Sequence, residues 1–120
     1  MGIEINEMEK ARLKQWEYLD KAIPKIKNWA KVNRCRIYKI NSVPHIGKSL
    51  DIYIFYKTDK ELKRYRELNL LEATEDTIAN ILTEIGYVRE FNNNIRISFD
   101  SDENVRKNYQ GNYGLRLTDD

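Results

Sequence analysis

The 120-residue chain carries a single cysteine, a single histidine and only two prolines, and each scarcity removes a class of chemistry. With Cys35 alone there is no internal disulfide and no cysteine-based zinc site; lying in an alternating segment, it reads as a buried core thiol. With His45 alone there is no histidine cluster and no visible Ser-His or Cys-His set to activate a nucleophile. Long hydrophobic runs are missing too. The longest, Ile52 to Tyr56, falls far short of the roughly 20 residues that span a bilayer, and the opening residues lack the apolar core of a secretory signal. A cytoplasmic location and no membrane partner are therefore expected. Nor does one sign of charge dominate: 21 basic and 19 acidic residues leave a formal +2, so attraction to a polyanion has to come from local clustering.

What is present describes one soluble domain over residues 1–120, since 41% hydrophobic and 33% charged residues suffice for one core and a solvated surface. From Ile5 to Val32 the spacing is helical, with Trp16, Leu19, Ile23, Ile26 and Ala30 as the apolar stripe and Leu13, Ala22 and Trp29 beside it. Pro24 predicts a kink or restart at residues 20–24, because it lacks the amide that would bond the carbonyl of Asp20. Arg34 to Ile40 alternates as a strand, residues 41–49 read as a loop, and Leu50 to Lys57 forms the returning strand. Its even positions, Leu50, Ile52, Ile54 and Tyr56, make an aliphatic face predicted to be buried, with Asp51 and Lys57 accessible on the other.

Thr58 with Glu61 spells a capping box for a helix over Lys60 to Glu67, and Asn69 with Glu72 spells another for Leu70 to Ile85, whose core positions are Leu71, Ile78, Leu82 and Ile85. Gly86 caps that helix. Tyr87 to Phe91 and Asn94 to Phe99 are predicted to form a hairpin around Asn92-Asn93-Asn94. Ser101 or Asp102 starts a short helix to about Tyr109; Tyr113 to Leu117 is read as a last strand, followed by a loose tail over Thr118-Asp119-Asp120. The expected fold is α+β: an antiparallel sheet of about five strands against a long N-terminal and a central helix, in the order α-β-β-α-α-β-β-α-β.

An internal echo runs through this order. Residues 52–64 match residues 95–107 without a gap at an offset of 43, each an alternating strand followed by Thr-Asp or Ser-Asp, an apolar residue three positions later and two basic residues. The repeat predicts a pseudo-duplicated pair of ββα units with Thr58 and Ser101 in equivalent positions at the helix caps.

Motif fragments do not add up to an enzyme. Gly47-Lys48-Ser49 would close a phosphate-binding loop, but Ser42 stands where that loop needs glycine and a strand follows instead of a helix. A nucleotidyltransferase core would need a second metal-binding carboxylate where Tyr53 stands. Asp100 to Asn104 opens like a calcium loop, but Val105 and Gly111 replace its glycine and its bidentate glutamate, so helix capping accounts for those acids. No cofactor, metal or catalytic residue is expected.

The function expected is therefore that of a small non-catalytic protein-interaction module. In size and class the chain is similar to small bacterial immunity and antitoxin proteins, which implies a protein partner or self-association. The docking surface expected is the second sheet face, where Tyr53 and Phe55 lie near Lys57 and Arg96, since aromatic rings beside cations are the composition of interface hot spots. If the first helix covers that face, the surface passes to Lys25, Lys27, Lys31, Arg34 and Arg36 around the end of that helix. A second basic group follows at Lys60, Lys63, Arg64 and Arg66. Those clusters support the alternative, a nucleic-acid-binding protein joining phosphate contacts to aromatic stacking. An enzyme with an unrecognised carboxylate site is the third reading.

Overall fold

The computed structural model describes residues 2–45 and 48–119, with side chains from Glu7 onward. Ile46, Gly47 and Asp120, which the loop and tail expectations include, lie outside the described residues. One helix, α1 (Gly2–Val32), precedes an antiparallel strand pair, β1 (Lys39–His45) and β2 (Ser49–Tyr56). Three helices follow, α2 (Asp59–Glu67), α3 (Leu70–Glu84) and α4 (Tyr87–Phe91), before β3 (Asn94–Ser101) and the short helices α5 (Asp102–Asn108) and α6 (Tyr113–Leu117). The described residues thus form a single compact α+β domain of six helices and a three-stranded mixed sheet, not the antiparallel sheet of about five strands that the alternation predicts.

The sheet order is β1-β2-β3, with β2 antiparallel to β1 and parallel to β3. Every residue of β2 is buried, which is why its apolar run reads on both faces: residues of α1 and α3 pack on its even positions, and Val105, Tyr109, Tyr113 and Leu117 pack on Tyr53 and Phe55. Parallel pairing needs a long crossover, and α2, α3 and α4 supply it. Pro44 sits inside β1 opposite Leu50, which an edge strand tolerates because one row of its amides pairs with nothing in the sheet.

Each departure from the expected order has a local cause. Residues 33–38 are not strand: Arg34 takes a left-handed φ of 59°, the amide of Cys35 bonds the carbonyl of Ala30, and β1 starts only at Lys39. Tyr87 to Phe91 is a helix, because Tyr87 and Phe91 are four apart and lie on one face with tilted rings whose centroids are 4.9 Å apart, both against Tyr18 of α1. Asn92 does adopt the left-handed conformation expected of it, at φ 44°, but it ends α4 instead of turning a hairpin. Tyr113 to Leu117 is likewise helical, started by Asn112, whose side chain accepts a bond from the amide of Leu115. The tail is not loose at its start: the Thr118 amide bonds the Gly114 carbonyl and Asp119 accepts from the hydroxyl of Tyr109.

α1 runs unbroken through Pro24. Asp20 and Pro24 are both exposed, where water can satisfy the carbonyl that the missing amide leaves. Its buried stripe is Leu19, Ala22, Ile26 and Ala30, preceded by Gln15; Trp16 and Leu13 turn outward, at 38% and 64% exposure. The core joins Leu19, Ala22 and Ile26 of that stripe to the even face of β2 and to Leu71, Ile78, Ile81 and Leu82 of α3. Asn69 has a left-handed φ of 60° and makes no side-chain cap, so the second expected capping box does not form.

The echo is structural at the level of one βα unit. Residues 52–64 and 95–107 both run strand, cap, helix, with Thr58 at φ −129°, ψ 157° and Ser101 at φ −128°, ψ 151°, each accepting from the amide three residues on. The larger ββα repeat does not form, because the segment before β3 is helix. In the sheet Ile52 pairs with Ile97, an offset of 45 that keeps every side chain on its face, since it slips the echo by one strand period. The two caps are stitched together: the Asp59 amide donates to Glu103 at 2.8 Å, the Glu103 amide donates to the Lys57 carbonyl at 3.1 Å, and the Ser101 hydroxyl donates to the carboxylate of Asp59. Thr58→Ala is expected to cost about 0.5–2 kcal/mol, and Ser101→Ala to fall at the top of that range because its buried hydroxyl serves two partners. Urea midpoints compare them; an equal shift would show that the bond to Asp59 contributes nothing.

Candidate functional site

The second face of the sheet is covered, but by the C-terminal helices and not by α1. Tyr53 and Phe55, at 6% and 0% exposure, pack with Val105 of α5 and with Val43, Tyr109, Tyr113 and Leu117. Phe55 meets the edge of Tyr113 at 4.8 Å between centroids, and Lys39 Nζ lies 4.0 Å over the same ring. Polar clamps hold this cover down. Arg116 bonds Asp100, with both side chains about seven-eighths buried, and its guanidinium lies 5.9 Å from the Tyr53 ring; Tyr113 donates its hydroxyl to Asp102. Burial and that acidic acceptor push the Tyr113 phenol far above its ordinary value.

The four residues expected to form one docking face are therefore separated. The two rings are core, Lys57 is exposed beyond the end of β2, and Arg96 is exposed beside Asp51 near the start of β3. Asp51 and Lys57 are six residues apart along the strand, roughly 20 Å.

Asp51, expected on the accessible side, is 7% exposed. Pleating puts it on the face of Tyr53, and the sheet brings its partners from both neighbouring strands. Arg96 grips its two oxygens at 2.7 and 2.8 Å through Nε and Nη2, while His45 Nε2 lies 3.1 Å from Oδ2. Burial opposes ionisation of this carboxyl, yet the Arg96 guanidinium, with His45 and Ser49, holds it below the usual carboxylate range. Between these residues and α6 lies a cleft of about 830 Å³, and a more polar recess of about 340 Å³ opens beside it past Lys48, Ser49 and Asn94. Sequence reading missed this site because His45 and Asp51 fall on either side of a turn and Arg96 is 45 residues further on. Nothing local marks them as neighbours.

The basic cluster is exposed. Lys25, Lys27, Lys31, Arg34 and Arg36 all face solvent, and none forms an ion pair with a described residue, as is also so for Lys60, Lys63, Arg64 and Arg66 of the second basic group. Lys31 in the last turn of α1 complements the helix dipole, but Lys25 and Lys27 lie further back and Arg34 and Arg36 follow the helix, so the dipole does not account for them. Lys25 and half-buried Trp29, four apart, share one flank of α1, and Lys27 with Lys31 the other. Both basic groups are within electrostatic reach of Tyr65: burial, Glu61 and Cys35 raise its phenol, and Arg64 of α2 and Arg36 both act against that rise. A signal for this surface lies in the sequence. Between Asp20 and Asp51 there is no acidic residue, and eight of the 21 basic residues fall in that interval, leaving 13 basic against 19 acidic elsewhere.

Compared with known proteins, the chain matches no family model, no curated protein and no solved structure. No helix among the described residues is long and apolar enough to cross a membrane.

Proposed function

We propose that the protein is a non-catalytic binding module whose partner is a single-stranded nucleic acid, held across the end of α1 by Lys25, Lys27, Lys31, Arg34 and Arg36. The observation that carries this reading is the clustering: five exposed cations, none ion-paired with a described residue, fall within the interval between Asp20 and Asp51 that holds no acidic residue. Such a surface pays no desolvation cost to break internal ion pairs when phosphates arrive. Trp29 and Tyr65, both half-buried, offer flat rings beside the cations, which is the combination that binds bases without reading their sequence. A partner docking on Tyr53 and Phe55 would first have to displace α5 and α6.

Fluorescence anisotropy with a labelled single-stranded oligonucleotide tests the proposal. With three or more phosphates neutralised at a slope of about 0.7 each, affinity should fall on the order of tenfold between 50 and 200 mM salt. Lys27→Ala with Lys31→Ala should weaken binding and flatten that salt slope. Absence of binding at 50 mM salt, or affinity indifferent both to salt and to those substitutions, would overturn it.

A further inference from the structure

The cleft on the second sheet face is independent of the basic surface, and its geometry points to a second site, one that seats a small aromatic anion with its carboxylate or phosphate head against His45 and Lys48 and its ring toward Tyr53 and Leu117. Three elements converge to build it: β1 ends at His45, β2 carries Asp51 and β3 carries Arg96, so the side chains come from consecutive strands of one sheet and are held by its register. Asp51 is the organising group. It is 7% exposed and both its oxygens are already engaged, so its role is to position donors and not to receive a ligand.

The charge around this carboxylate is lopsided. Among the described residues lining the cleft and its recess, His45, Lys48 and Arg96 can carry positive charge and Asp51 alone is acidic; α6 contributes Gly114 and Leu117, and Thr118 follows it, none of them charged. His45 turns Nε2 to Asp51, and its ring lines both the cleft and the recess, next to Lys48 and Arg96. A structural ion pair between Asp51 and Arg96 accounts for neither the lysine at the recess nor the concavity beside it. The volumes, about 830 and 340 Å³, lie in the range of small-molecule sites, and the larger lobe has an apolar floor at Val43, Tyr53 and Leu117 while the recess beside Lys48 is polar. That division, an ionic end and a flat apolar end, selects the ligand class.

The test uses the whole chain and four simple probes. Phenyl phosphate and benzoate are titrated by nuclear magnetic resonance against neutral benzamide and against inorganic phosphate, which lacks the ring. The expected result is that at least one of the two aromatic anions moves the amides of Ser49, Ser98 and Thr118, and that this anion binds at least tenfold more tightly than benzamide and inorganic phosphate. Comparison of phenyl phosphate with benzoate identifies which head group is preferred. His45→Gln and Lys48→Met change exposed side chains, keep the fold by circular dichroism, and should each weaken the favoured probe severalfold, while Lys27→Ala with Lys31→Ala should leave it unchanged. Benzamide binding as tightly as the aromatic anions, no shift at the cleft with either anion, or wild-type affinity in both the His45 and Lys48 variants would overturn the inference. The oligonucleotide reading stands or falls separately, because its residues lie on α1 and the segment after it.

Discussion

Ile54→Ala is expected to lower the unfolding free energy by about 2–5 kcal/mol, the loss typical of truncating a fully buried aliphatic side chain. Ile54 has no exposed surface, and its strand is flanked on both sides, with Ile40 opposite in β1 and Phe99 opposite in β3. The side chain also belongs to the cluster that joins the sheet to α1 and α3, so the cavity would open where three elements meet and none can move alone to fill it. Leu13→Ala is the matched control. The helical pattern places Leu13 beside the apolar stripe, but it is 64% exposed, and its truncation should change stability by less than about 0.5 kcal/mol. Urea unfolding of both variants decides the matter: comparable losses would mean that α1 is rotated from the position described.

Arg116→Ala is expected to be the most damaging change outside the main core, at about 3 kcal/mol, because it leaves Asp100 as a charge 86% removed from solvent with only neutral donors, the amide of Ser101 and the side chain of Asn104. The same substitution removes the clamp between α6 and the sheet, so amide exchange should accelerate across Tyr113 to Leu117 and the dye 1-anilinonaphthalene-8-sulfonate should bind where Tyr53 and Phe55 become uncovered. Adding Asp100→Asn to Arg116→Ala should restore part of the loss, since the orphaned charge goes with it. A double variant no more stable than the single one would show that the cost comes from lost packing of the arginine stem and not from charge.

Local chemistry made several parts of this protein readable. Thr58 and Ser101 announce their helices because a hydroxyl followed by a free amide three residues on is a self-contained interaction. The even face of β2 and the core positions Leu71, Ile78 and Leu82 were legible because burial imposes a period on the sequence. Where a segment is too short to show a period, the reading fails. Tyr87 to Phe91 and Tyr113 to Leu117 are five residues each, and an aromatic pair four apart serves a helix as well as alternation serves a strand.

The sequence by itself determined the α+β composition, the long first helix, the central strand and the two matching caps, since each depends on neighbours a few residues away. It also contained the acid-free interval that makes the end of α1 basic. Only the tertiary structure decided that β3 lies parallel to β2, that α5 and α6 and not α1 cover Tyr53 and Phe55, and that Asp51 is bracketed by His45 and Arg96. The physical reason is that strand order and the covering of a face follow from competition among all apolar surfaces of the chain at once. Pairing energies differ little between parallel and antiparallel neighbours, so the long crossover through three helices settled which edge of β2 was left for β3, and the clamps at Asp100 and Asp102 settled what lay over it.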